Sequence, residues 1–213
     1  MSILAKLYHF PTACSGVTQV ALEAGEVEYE LELVELVAGD HHKSAFRTLN
    51  PRGKVPALLL DGHLLTENVA ILFELDRRSG GCLRGGTAAQ AANSFLGDLA
   101  WCGATLHPMV RQIRAPVRFT DGDPQPVRDH GLRHFEIVAQ TLEERLSRGW
   151  WYGSEWSIVD SYLRWIVGVA ATAFNFDHYP GLREHSQRVD ERPASQRARE
   201  REAEAVRYGR WLR

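Results

Sequence analysis

The sequence predicts an α/β domain followed by an all-helical domain. Up to residue 79, short segments with a strand-like period of two alternate with segments of helical period. A glycine-rich stretch follows, and beyond it apolar residues recur with helical spacing almost to the end of the chain. We therefore expect an α/β domain over residues 1–79, a linker over residues 80–86 and an all-helical domain over residues 87–213.

The α/β region begins with the element order βαβ. Residues Ala5–His9 alternate weakly and predict a strand. The apolar spacing of Val17–Ala24, closed by Gly25, predicts a helix, and the period of two in Glu28–Val34 predicts a second strand.

The most informative stretch is Asn50–Phe73, which reads Asn-Pro-Arg-Gly-Lys-Val-Pro-Ala-Leu-Leu-Leu-Asp-Gly-His-Leu-Leu-Thr-Glu-Asn-Val-Ala-Ile-Leu-Phe. Asp61-Gly62 is typical of a two-residue hairpin turn, and Thr66-Glu67-Asn68 precedes a helical apolar period. Loop, hairpin and helix add ββα to the βαβ order.

Two features of this stretch predict a peptide-binding corner. Pro56 has no backbone N–H, so a strand would start there, and a cis Val55–Pro56 bond would turn the Val55 N–H and C=O towards an extended peptide. The helix that starts near Glu67 and Asn68 would present backbone N–H groups and the positive end of its dipole, which suits a carboxylate.

Composition argues against several other classes of protein. The 213 residues carry a formal net charge of −2 and are 24% charged, so no global basic field favours nucleic acid or an anionic membrane. The apolar runs are too short for a membrane span, and the N-terminus lacks the apolar core of a signal peptide, so we expect a cytoplasmic protein. Cys14, Cys82 and Cys102 contain no C-x-x-C pair, which argues against a disulfide framework and a zinc site.

The motifs resemble the cytosolic glutathione S-transferase family, and most closely its bacterial beta class. The resemblance is carried by Asn-Pro-x-Gly-x-Val-Pro-x-Leu, by the following Leu-Thr-Glu-x-x-Ala-Ile, by a Ser157-x-x-Asp160 capping box and by Arg192-Pro193. It implies a thioredoxin-like first domain and a helical second domain, together the glutathione transferase fold. It also implies a homodimer that uses glutathione as co-substrate and needs no metal.

The resemblance also assigns a glutathione site. Val55 and Pro56 would meet the cysteinyl backbone of glutathione, and Glu67 and Asn68 its γ-glutamyl end. Two further contacts are expected from Tyr8 and Lys43. The chain departs from the family at three places: Asn68 replaces a common serine, Ala38 lies near the position of a beta-class lysine, and Ala100 replaces an asparagine.

Glutathione transfer needs a thiolate, because the thiol is a weak nucleophile at neutral pH. Cys14 and Ser15 lie between the first strand and the first helix, where backbone N–H groups and the helix dipole stabilise a thiolate. The Pro-Thr-Ala-Cys-Ser segment resembles the beta-class Cys-Ser segment, whose cysteine faces the glutathione sulfur. Cys14 is thus the first catalytic candidate and Ser15 the second. Tyr8 is a rival candidate for the catalytic role. The alternative for Cys14 is a buried, inert thiol.

The helical region supplies His107, which the resemblance matches to a beta-class histidine that faces the thiol. A histidine can hydrogen-bond a thiolate or move its proton. Trp101 and Arg111, about a turn on either side, would line an apolar pocket for a small hydrophobic electrophile. The alternative for His107 is a surface histidine.

We therefore predict a glutathione transferase that passes the glutathione thiolate to a small hydrophobic electrophile or to a disulfide, with a role in detoxification. Thiol–disulfide transferase activity stays open. The alternatives are a non-catalytic regulatory protein of the stringent-starvation type, and a glutathione-dependent isomerase or dehalogenase. We expect no nucleic-acid or membrane partner. The sequence does not separate the enzymes, because substrate choice depends on residues 87–126.

Overall fold

The computed structural model describes residues 5–85 and 88–212, with the backbone alone at residues 88–93. The described residues divide into two compact units. One runs to Leu83 and also includes the residues from Arg192 onwards, and the other is Arg84–Glu191. The end of the expected linker, Gly86, and the first residue of the expected helical domain, Thr87, lie outside the described residues.

The first unit is built on a four-stranded sheet with the order β2-β1-β3-β4. Its strands are β1 (Ala5–His9), β2 (Tyr29–Leu33), β3 (Ala57–Leu60) and β4 (His63–Thr66). The helices α1 (Ser15–Ala24), α2 (Ser44–Leu49) and α3 (Asn68–Arg78) complete it. The strands β1 and β2 are parallel, whereas β3 and β4 are antiparallel to their neighbours. The predicted βαβ-ββα order is confirmed, with α2 as an additional short helix.

Local sequence explains the hairpin and the register of the sheet. Asp61 and Gly62 both have positive φ, 51° and 79°, as a tight two-residue hairpin turn requires. In the centre of the sheet Leu7 pairs with Leu31 on one side and with Leu58 on the other, and all three side chains are buried. A one-residue slip would carry these leucines to the opposite face, so burial fixes the register.

The second unit is helical. Its helices are α4 (Ala88–Trp101), α5 (His107–Arg114), α6 (Gln125–Leu146), α7 (Ile158–Ala170) and α8 (Pro180–Asp190). A π-helical turn, Cys102–Leu106, separates α4 from α5, where the helical apolar spacing of residues 87–110 predicts one continuous helix. Pro108, which cannot donate a backbone hydrogen bond, lies two residues after this turn.

The C-terminal helix differs from the prediction in extent and in packing. One charged helix is expected from Leu182 to Val206, but α8 ends at Asp190 and α9 (Pro193–Arg207) begins anew. Pro193 cannot continue a helix and suits a first-turn position, which explains the break. Moreover, α9 packs against α1 and β2, so residues 192–212 belong with the first unit rather than with the expected helical domain 87–213.

The charges of α9 explain this packing. The sequence predicts a solvent-facing helix with pairs within itself, whereas Arg197 and Arg201 both donate to the buried carboxylate of Glu23 on α1, at 3.0 and 2.8 Å. The Gln19 amide donates to the Ala198 carbonyl at 2.8 Å, and Ala198 is buried. Small side chains and cross-element ion pairs therefore hold α9 on α1.

Asp160 organises the start of α7. Its buried carboxylate accepts the backbone N–H of Ser157 at 2.8 Å and the Ser157 hydroxyl at 2.9 Å. It also accepts the backbone N–H of Trp151 at 2.7 Å and lies 2.9 Å from the ring nitrogen Nε2 of His185. The predicted capping box is present. The Asp160 carboxylate also bonds the preceding turn and α8 to the start of α7.

We predict that Asp160→Asn lowers the free energy of unfolding by about 3 kcal/mol, because an amide nitrogen would then face groups that donate. The measurement is the urea unfolding midpoint. Asp123→Asn is the matched control: the exposed Asp123 accepts one backbone N–H, from Gln125, which an amide oxygen can also do. Equal losses in the two variants would contradict the central role of Asp160.

Candidate active site

The turn between β1 and α1 presents Cys14. Cys14 directly precedes α1, and its side chain is partly exposed. Its Sγ lies 3.8 Å from the carbonyl oxygen of Val55, on the loop that leads into β3. The start of a helix stabilises an anion through its dipole, which opposes the repulsion between a thiolate and this carbonyl oxygen.

The loop beside Cys14 contains the predicted proline. The Val55–Pro56 peptide bond is cis, and Pro56 is buried. Asn50, which the sequence analysis did not single out, braces this loop: its amide donates to the Lys54 carbonyl at 2.8 Å and accepts the backbone N–H of Arg52 at 3.1 Å. Asn50 is almost fully buried, so these bonds have no competition from water.

Glu67 has an unusual backbone at the start of α3. Its φ of 68° and ψ of 121° lie where residues other than glycine are rarely found. Such conformations persist where the surroundings impose them, often at binding sites. The exposed carboxylate lies 3.3 Å from Nη1 of Arg52, which also donates to the Thr66 hydroxyl at 2.9 Å. Arg52 is a cation beside this corner that sequence reasoning missed.

Asn68 connects the two helix starts. Its side-chain amide donates to the carbonyl oxygen of Cys14 at 2.8 Å and accepts the hydroxyl of Thr18 at 2.6 Å. The side chain is 6% exposed. It was expected to hold the γ-glutamyl end of glutathione; in the structure both of its polar atoms bond to α1 and the turn before it.

Ser15, the second catalytic candidate, is fully buried beside Cys14. Its hydroxyl lies 2.7 Å from Nδ1 of His9 and accepts the backbone N–H of Phe10 at 3.3 Å. Nε2 of His9 lies 2.6 Å from a carboxylate oxygen of Glu202, on α9. Because an ionised carboxylate only accepts, Nε2 carries the proton. The chain Ser15–His9–Glu202 thus joins the turn to the C-terminal helix.

Tyr8 and Lys43 are the other candidates of the first unit, and both lie apart from the hydrogen bonds around Ser15. Tyr8 is buried and packs against Phe46, with ring centroids 5.8 Å apart, and burial raises the pKa of its hydroxyl. Lys43 is exposed and pairs with Asp40. Burial disfavours the charged form of Tyr8, so its side chain stays a neutral hydroxyl, and its ring packs in the core of the first unit.

The helical unit contains the other three candidates. His107 opens α5; its Nδ1 lies 3.2 Å from the Tyr162 hydroxyl, and its ring meets the Trp165 ring at a centroid distance of 4.5 Å. Trp101, at the end of α4, stacks on Trp151 at 5.6 Å. Arg111 lies on α5 and is partly exposed. Hydrogen bonding and ring contacts on α7 fix the His107 ring in one orientation.

Across residues 5–85 and 88–212, no three His, Cys, Asp or Glu side chains are placed to hold a metal ion. None of the helices described combines the length and the apolar character needed to cross a membrane.

The first unit matches a known protein family. Residues 5–77 match the family model of the glutathione S-transferase N-terminal domain. Over 205 residues the chain is 28% identical to the disulfide-bond oxidoreductase YfcG of Escherichia coli K12, with 90% of this chain and 93% of that protein covered.

Two solved structures are similar over nearly their whole length. A sphingomonad glutathione S-transferase complexed with glutathione is 29% identical, with a TM-score of 0.77 over 91% of this chain and 96% of that chain. A bacterial beta-class glutathione S-transferase of Sphingomonas chungbukensis is 28% identical, with a TM-score of 0.76 over the same shares. With the cis-proline loop, the helix starts and the two-unit fold described above, these matches show that residues 5–77 form a glutathione S-transferase N-terminal domain and that the chain is similar over nearly its whole length to bacterial glutathione S-transferases.

Proposed function

We propose that the protein binds glutathione and transfers its thiolate to a small hydrophobic electrophile or to a disulfide. The observation that carries this proposal is the position of Cys14: a partly exposed thiol at the start of α1, 3.8 Å from the Val55 carbonyl oxygen. Glutathione, which carries the substrate thiol, would lie along this loop with its cysteinyl backbone against Val55.

Charge supports the orientation of glutathione. The γ-glutamyl end carries both a carboxylate and an ammonium group. The start of α3 and the guanidinium of Arg52 favour the carboxylate, and the exposed carboxylate of Glu67 favours the ammonium. The γ-glutamyl end therefore binds at the start of α3, which leaves the sulfur towards Cys14.

The thiol chemistry favours disulfide exchange. The Cys14 thiolate attacks the glutathione sulfur of a mixed disulfide; a new sulfur–sulfur bond joins Cys14 to glutathione, and the other thiolate leaves. A second glutathione thiolate then attacks this adduct, which releases glutathione disulfide and the Cys14 thiolate. The disulfide is the oxidant and glutathione the reductant. A relative named as a disulfide-bond oxidoreductase supports this reaction.

Conjugation is the second reaction of the same site. There the glutathione thiolate attacks an electrophilic carbon and a leaving group departs. We assign the choice of electrophile to His107, Trp101 and Arg111 of the helical unit. A homodimer, a cytoplasmic location and a role in detoxification belong to the same proposal. The homodimer and detoxification come from the resemblance to the family, and the location comes from the apolar pattern of the sequence.

Two alternatives are weaker. A purely regulatory protein of the stringent-starvation type has no use for a partly exposed thiol against the Val55 loop. An isomerase or dehalogenase would use the same glutathione site, and relatives named as maleylacetoacetate isomerases match between 32% and 74% of this chain.

We predict that glutathione binds the wild-type protein with a dissociation constant between micromolar and millimolar in a calorimetric titration. Cys14→Ala should keep this binding, because the tripeptide backbone is held elsewhere, but should lose at least tenfold in disulfide-reducing activity. Mass spectrometry should find a glutathione adduct on Cys14 of the wild type. Cys82→Ala is the control and should behave as the wild type. Full disulfide-reducing activity of Cys14→Ala would refute the role of Cys14.

The three cysteines should also differ in alkylation. Cys82 is exposed, Cys14 is partly exposed and Cys102 is fully buried. Burial raises the pKa of the Cys102 thiol, so its reactive thiolate is disfavoured at neutral pH. We predict that iodoacetamide modifies Cys14 and Cys82 of the native protein and reaches Cys102 only after unfolding in urea. Alkylation of native Cys102 at pH 7, read by peptide mass spectrometry, would contradict this order.

A further inference from the structure

The Asn68 side chain is fully engaged within the first unit. A carbonyl oxygen only accepts, so the amide nitrogen must face the Cys14 carbonyl, 2.8 Å away, and the amide oxygen must face Thr18. The Thr18 hydroxyl donates to it at 2.6 Å. Thr18 is fully buried and Asn68 nearly so. Both polar atoms of the Asn68 side chain are therefore satisfied without a ligand.

These bonds set the position of the Cys14 backbone. The Cys14 carbonyl accepts the Asn68 amide and also the backbone N–H of Val17, the first-turn bond of α1. Asn68 is itself placed by Glu67, whose left-handed backbone opens α3. The start of α3 thus holds the residue that carries the thiol at the start of α1.

We propose that Asn68 is a positioning residue for Cys14 and not a side-chain ligand of glutathione. This inference rests on the proposed function, since it gives Asn68 a role through the Cys14 thiol. As a glutathione ligand, Asn68 would have to break its bonds to Cys14 and Thr18 and leave their oxygens buried without that partner. As a brace, it keeps the Cys14 side chain aligned with the positive end of α1 and next to the Val55 carbonyl.

The arrangement also couples the two ends of the glutathione site. The γ-glutamyl end is proposed to bind at the start of α3, and the amide of the first residue of α3 bonds to the backbone of the thiol-bearing residue. A displacement of Asn68 therefore moves Cys14. Asn68 thus connects the start of α3 to the residue that carries the thiol.

The test measures Cys14 alkylation by iodoacetamide without glutathione, as a function of pH, in a Cys82→Ala background. Asn68→Ser is too short to span both bonds, and we expect the pH of half-maximal alkylation rate to rise by at least about half a unit, as Cys14 loses its alignment with α1. Asn68→Asp should raise it further, because a carboxylate would then face the Cys14 carbonyl. Calorimetry should find the affinity for glutathione within about threefold of the wild type in Asn68→Ser.

The matched control is Gln19→Ala, which removes another buried amide-to-carbonyl bond from α1, to Ala198, without touching Cys14. It should lower the melting temperature without moving the pH profile. Thr18→Val removes only the second bond of Asn68 and keeps the test available if the Asn68 variants do not fold; a smaller rise in the same direction is expected.

Two results would overturn the inference: an unchanged pH profile in folded Asn68→Ser, or the same shift in Gln19→Ala. An unchanged profile with a tenfold loss of glutathione affinity would make Asn68 a glutathione ligand instead. If the wild type binds no glutathione, the proposed function fails, whereas the alkylation profiles still decide whether Asn68 positions Cys14.

Discussion

The turn between β1 and α1 is the constraint on which the candidate active site depends, because it is held by side chains from three other parts of the chain. His9 of β1 fixes Ser15 and is itself fixed by Glu202 of α9. Asn68 of α3 holds the Cys14 carbonyl. Buried hydrogen bonds of this kind allow few alternative geometries, since breaking one leaves a polar group unsatisfied away from water.

The C-terminal segment is therefore hydrogen-bonded to the first unit as well as packed against it. Beyond Glu202, the Leu33 backbone N–H donates to the Arg210 carbonyl at 2.8 Å and the Leu212 N–H to the Leu33 carbonyl at 2.7 Å. The chain end thus extends the sheet beside β2, and Leu212 packs against a cluster that contains Tyr8 and Phe46. A free sheet edge invites pairing with other chains, and residues 210–212 occupy the edge of β2 at Leu33.

Sequence reasoning succeeded where the determinant is local. Asp61-Gly62 specifies its own turn, and Ser157 and Asp160 specify a helix start within four residues. It failed where partners are distant: His9 and Glu202 are 193 positions apart, and neither belongs to a recognisable motif. Asn68 lies at the start of α3, as its motif predicts, but the hydrogen-bond partners of its side chain could not be predicted. A side chain that can cap a helix can bond equally well to a ligand or to a neighbouring helix. The break at Pro193 was readable from proline alone, whereas the packing of α9 on α1 depends on Glu23, whose burial no period in the sequence reveals.

The different positions of Cys14 and Ser15 follow from helix geometry. Successive residues at the start of a helix point about 100° apart, so neighbours cannot face the same surface. The Ser15 hydroxyl turns inward to His9, and the Cys14 thiol turns towards the Val55 loop. A serine hydroxyl bonded to a buried histidine that is itself paired with a carboxylate resembles the arrangement of hydrolytic enzymes. Here, however, the serine is enclosed, and no substrate carbonyl can reach it without the turn opening. The same bonds that make Ser15 inaccessible hold α1 in the orientation that presents Cys14, so Ser15 has a structural role in this turn, and the chemical role that we propose belongs to the Cys14 thiol.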